Sequence, residues 1–178
     1  MAFLLAGCGD LVVVHEAGSS SASHGWKWDD FSLSGRMPLR VLGNPTARDQ
    51  DQFEARLAAL MSQSVFGNPV VFDPAPGAKA RYGQSVVMLF GSEATNFAIL
   101  PCEQSESARP QAARNPIVVF AAMCIANETL RTVKGRVGVA DGDADRALDA
   151  VVPEVLLALI RQRGSGMGGD GGDGGGGG

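Results

Sequence analysis

Few side chains in these 178 residues could do chemistry, and their spacing argues against catalysis. The two histidines, His15 and His24, flank a serine-rich stretch, whereas a general base must be held within hydrogen-bond reach of the proton it removes. There is no Gly-x-Ser-x-Gly elbow, no His-Glu-x-x-His and no phosphate loop set between a strand and a helix. Asp141, Asp143 and Asp145 alternate as in a calcium loop, but Arg146 and Val152 stand where such a loop needs glycine and glutamate. They fit better as the cap and first turn of a helix, whose amide end favours negative charge. A hydrolase would need clustered carboxylates, with Asp73 or Glu93 as candidates, and the sequence does not bring these together. No catalytic residue, metal ligand or cofactor site is assigned, and the chain reads as non-enzymatic.

Two further groups could bind or cross-link. Cys102 and Cys124 are not spaced as a Cys-x-x-Cys pair, so neither a redox motif nor a zinc site is indicated. They are a possible disulfide in an oxidising compartment, or else two separate buried thiols. Trp26 and Trp28 alternate with Lys27 and share one face if the stretch is extended. They could form a lid over an apolar ligand, or a flap packed on the edge of the domain.

The third cysteine has a different setting. Leu5, Ala6 and Gly7 lead directly into Cys8, and this run looks like the lipobox of bacterial lipoproteins, which are cut before the cysteine and acylated on it. The apolar run before it, Met1 to Leu5, is shorter than a secretory h-region and carries no Lys or Arg. Either the true start lies upstream, or this is a buried N-terminal segment that happens to hold Cys8. Gly18 to Ser23 is a small polar stretch that reads as a flexible tether following the anchor. With the pattern from Leu39 to Ile160, the organisation resembles small α+β envelope lipoproteins of proteobacteria, such as those assisting lipopolysaccharide assembly or curli export. The resemblance implies a chain held on the membrane by lipid (palmitate among its acyl chains) on Cys8. It also implies a position facing the periplasm, at the outer membrane, with an envelope protein as partner. The competing reading is a soluble binding domain for an apolar small ligand, with Trp26 and Trp28 as its lid.

Composition narrows the partners. The net charge is −4 with no Lys/Arg cluster, so nucleic acid is not expected as a partner. No run of 18 apolar residues suggests a spanning helix.

Periodicity supplies the elements that must position any site. Leu39, Val41 and Leu42 read as a strand ended by Gly43, Asn44 and Pro45. Thr46 or Asp49 can then cap a helix whose apolar face is Phe53, Leu57, Leu60, Met61 and Ser64. Val70 to Phe72 and Val86 to Phe90 are strands, Glu103 to Asn115 a long surface loop, and Ile117 to Ile125 with Leu130 to Val139 a hairpin. Leu11 to Val14 is a short apolar run, weakly paired or loose. A last helix carries Leu148, Val151, Val152, Val155, Leu156 and Leu159 on one face, and Pro153 is expected to kink or restart it.

The order β-α-β-β-β-β-α predicts an α+β domain, with a mixed or antiparallel sheet of about five strands and two helices packed on one face. The chain divides into a partial lipoprotein signal (1–8), a tether and N-terminal flap (9–37), the α+β domain (38–163) and a glycine-rich tail (164–178) predicted to be disordered.

Overall fold

The computed structural model describes residues 12–19, 28, 35–65, 69–74, 83–91, 102, 115–126, 128–139 and 142–161. The elements run β1 (Val12–Ser19), β2 (Arg36–Leu42), α1 (Gln50–Ser64), β3 (Val71–Asp73), β4 (Gln84–Phe90), β5 (Ile117–Ile125), β6 (Glu128–Val137) and α2 (Ala144–Ile160). The strands form one sheet in the order β1-β6-β5-β4-β2-β3. Strand β2 lies parallel to both β3 and β4, and the remaining pairs are antiparallel, so the sheet is mixed. The fold is α+β, as the element pattern predicts.

Alternation along each strand divides the sheet into two faces. Met37, Leu39 and Val41 of β2, Val86, Met88 and Phe90 of β4, Val119 and Ala121 of β5, and Val133 and Val137 of β6 point to one side. There they join Phe53, Leu57 and Met61 of α1 and Leu148, Val151, Val152, Val155 and Leu156 of α2 in a single core. Both helices therefore cover the same face. Phe53 meets Phe90 edge to face, with ring centroids 5.3 Å apart. Helix α2 packs tightly against Gly135 of β6, where a Cβ would stand 2.3 Å from Val155 Cγ2 and 2.9 Å from Val151 Cγ2. Glycine is what allows that approach.

The helix ends follow the chemistry of their caps. Asp49 accepts from the Gln52 amide at the start of α1, so Asp49 rather than Thr46 is the cap. Thr46 instead bonds Asn44 in the turn before it. Asp143 caps α2 by accepting from the Arg146 amide. At the far end of α2 an Arg131 guanidinium nitrogen donates to the Arg161 carbonyl, joining β6 to the helix terminus.

The sheet matches the expected mixed α+β architecture, and three details differ: the place of the serine-rich stretch, the start of β2 and the course of α2 at Pro153. The sheet has six strands because Val12–Ser19 pairs along β6 from Val12↔Val137 to Ser19↔Arg131, with a bulge between Glu16 and Gly18. Gly18 and Ser19 belong to this strand, so the serine-rich stretch follows the first strand and joins it to β2. It does not separate Cys8 from the domain. Strand β2 starts at Arg36 rather than Leu39 and runs through Pro38. It pairs with β3 over residues 36–38 and with β4 over 39–42, so Pro38 lies where the β3 pairing ends. Helix α2 passes Pro153 without interruption. The lost amide bond falls opposite the Asp149 carbonyl, on the exposed side of the helix, and the buried face on either side holds the helix in place.

Candidate functional site

The sheet face away from the helices is buried at its centre, whereas Arg40 and Arg136 at its borders are exposed. Val87, Ala122 and Cys124 point to it and are 0–1% exposed, and Cys102 packs among them beside Leu42. Cys102 and Cys124 form a disulfide with Cα atoms 5.7 Å apart. Of the two readings of this pair, the structure has the bridge. Its placement follows from topology. Phe90 at the end of β4 lies opposite Val119, whereas Cys124 lies opposite Ser85 near the start of β4. The chain leaving β4 therefore has Cys102 fixed near the far end of the same strand pair before it re-enters as β5. Nearby on this face, the Lys134 ammonium sits 5.2 Å from the Phe120 ring centroid, a favourable contact with the ring's negative face. The Thr129 hydroxyl, opposite Cys124, is buried with no hydrogen-bond partner among the described residues.

The chemistry-bearing residues fall in separate places. Asp73 pairs with Arg36 at 2.6 Å on the β2–β3 edge. Asp143 is spent as a cap. Asp145 accepts two bonds from Arg48, at 3.2 and 2.7 Å, and lies 3.3 Å from Arg56, whose other nitrogen reaches Asp149 at 2.6 Å. Hydrogen bonding from Arg48 holds the Asp145 carboxyl below the usual carboxylate range, against the opposing pull of partial burial, and the charges of Arg48 and Arg56 add to the lowering. The same pair raises the Arg48 guanidinium. This cluster ties the turn before α1 and the first half of α1 to the first turns of α2, so it is a clasp between elements. No local sequence pattern marks Arg48 and Arg56, because their partner stands 97 and 89 residues away.

Trp28 is partly buried and packs against the helix-side core. Trp26, His24, Glu93, Asp141, Cys8 and the glycine-rich tail lie outside the described residues, as does the predicted loop apart from Asn115. Asn115 holds the end of β6 through both its amide atoms, donating to the Val139 carbonyl at 3.2 Å and accepting from the Val139 amide at 3.0 Å. His15 lies in β1 opposite Lys134. Among the described residues no three His, Cys, Asp or Glu side chains gather where a metal ion could sit. No helix among them is long and apolar enough to cross a membrane.

No family model matches this sequence, and no curated protein matches it either. Among solved structures, the chain is similar to the PelC dodecamer from Paraburkholderia phytofirmans, with a TM-score of 0.48 and 10% identity over 85% of this chain and 100% of that one. A single-substitution variant of the same PelC dodecamer gives a TM-score of 0.47 and 12% identity over the same shares. At that distance the likeness assigns neither a partner nor an activity.

Proposed function

We propose that this protein is a lipid-anchored, non-enzymatic module of the bacterial cell envelope that binds a partner protein, with acylation at Cys8. The observation that carries the reading furthest is the Cys102–Cys124 bridge, buried in the outer face of the sheet. A bridge built into a core must form as the chain folds, and disulfides persist in the periplasm rather than in the reducing cytosol. The Leu5-Ala6-Gly7-Cys8 run supplies the anchor in the same compartment. Where described, the outer face is buried at its centre around Val87, Ala122 and the bridge, while Arg40 and Arg136 at its borders are exposed, so contact with a partner falls to the sheet's margins, edges and loops. The outer edges are β1 and the three-residue β3, where Val71 is 53% exposed. Unpaired strand edges are ready to accept another strand.

The test is intact mass and membrane fractionation of the full chain made in a bacterial host. The expected result is a diacyl or triacyl adduct on Cys8 and recovery in the membrane fraction, both lost in Cys8→Ser. An unmodified, soluble chain that keeps its own Cys8 would end this reading. It would leave the binding domain for an apolar ligand, a role that the packing of Trp28 against the core does not favour.

A further inference from the structure

The first strand begins almost at the anchor. Only residues 9–11 separate Cys8 from Val12, where the sheet starts. Four residue steps span at most about 14 Å however the chain runs. Val12 is at one corner of the sheet, on the edge strand β1 and in register with Val137 at the end of β6. The diagonal corner is Val71 of β3. It lies on the other edge, five strand spacings or roughly 24 Å across. It is also at the opposite end, because Val71 pairs with Arg36 at the start of β2, whereas Leu42 at the end of β2 lies beside Leu89 near the end of β4.

Resting on the anchor reading above, we propose that the Val12–Val137 corner is a membrane-apposed surface. A leash of three residues holds it against the phospholipid headgroups, and the Val71 corner points away from the bilayer. The serine-rich stretch cannot loosen this arrangement, since it lies between β1 and β2, beyond the point where the chain enters the sheet. Described side chains near the apposed end carry both signs: Arg136 precedes Val137 on β6, and Asp145 at the start of α2 is paired with Arg48. Attraction to anionic lipid is therefore not what holds the corner, and the leash length is. The Arg36–Asp73 pair and the exposed Val71 are left on the side that a partner in the periplasm would meet.

The experiment uses the full lipidated chain in phosphatidylcholine vesicles that carry an acceptor dye on a headgroup. A donor dye is placed at Gly138→Cys or at Val71→Cys. Position 138 follows Val137 and has open space where a Cβ would stand, and Val71 is exposed. The bridged cysteines, each 1% exposed, stay unlabelled. Energy transfer from 138 is expected to exceed that from 71. A linker of about twenty Gly and Ser residues between Asp10 and Leu11, adding roughly 25 Å of reach, should bring transfer from 138 down to that from 71. Acylated protein with equal transfer from both sites, or with transfer from 138 that survives the linker, overturns this inference and leaves the anchor intact. Absence of an acyl adduct in the same preparation overturns the anchor and this inference together.

Discussion

Gly135 is the position at which a single atom decides how β6 and α2 pack. An added Cβ would overlap Val155 and crowd Val151 and Val119, all buried. Gly135→Ala should therefore lower stability by about 1–3 kcal/mol, the usual effect of overpacking. The double variant with Val155→Ala should regain part of the loss, read as the urea midpoint of each protein. Thr129 presents the reverse case. Its buried hydroxyl has no partner among the described residues, so Thr129→Val removes an unmet desolvation penalty. A rise in melting temperature is expected, and a fall would mean that the hydroxyl is satisfied in solution. Asp145 fixes the sign of one pH effect. Its folded pKa is lowered, so its contribution is complete above the unfolded value of about 3.9 and is lost as pH falls through the lower folded value. Asp145→Asn should flatten that acid limb. Because about a third of the carboxylate side chain is exposed, the effect at neutral pH should stay below about 1 kcal/mol.

The elements show which signals are local. Both helices, the positions of β3 to β5 and the β5–β6 hairpin follow from periodicity and punctuation. The Asp49 and Asp143 caps follow from side chains that bond amides within three residues. Strand β1 was obscured because Val12 to Val14 is followed at once by His15, Glu16 and small polar residues. Its partner β6 begins more than 100 residues later, so nothing nearby reports the pairing. The same distance hides the Arg48 and Arg56 clasp. Pro153 misled for a related reason: its local cost is real, but seven buried side chains of α2 hold the helix across it. The disulfide was legible as a possible pair, and only the sheet register shows why it closes. It joins residues 22 apart, for which loss of loop-closure entropy in the unfolded chain gives about 3 kcal/mol. Cys102→Ala with Cys124→Ala should lose about that much in urea, and the bridged protein with dithiothreitol under unfolding conditions should match the variant.

At the scale of the whole molecule, the question is where the cooperative unit begins. Reading residues 9–37 as a presenting segment puts the start of the domain at Pro38, and Trp28 then belongs to something outside it. The structure instead pairs Val12–Ser19 along β6 and packs Val12, Val14 and Trp28 against the core that holds α1 and α2. One core of this kind unfolds as one unit. In a Trp26→Phe background, Trp28 is the only indole, so its emission reports on that stretch alone. The native spectrum should be blue-shifted by burial, and its red shift on adding urea should share a midpoint with the loss of far-ultraviolet circular dichroism. The Gly135→Ala variant, whose defect lies on β6 beside β1, should move both midpoints together. A native emission already at the wavelength of exposed indole, or an indole transition ahead of the loss of secondary structure, would return Trp28 to a flap. The short leash to Cys8 depends on β1 alone, so it is checked independently: Val14→Asp, which sets a charge beside that core, should lower the same shared midpoint if β1 belongs to the unit.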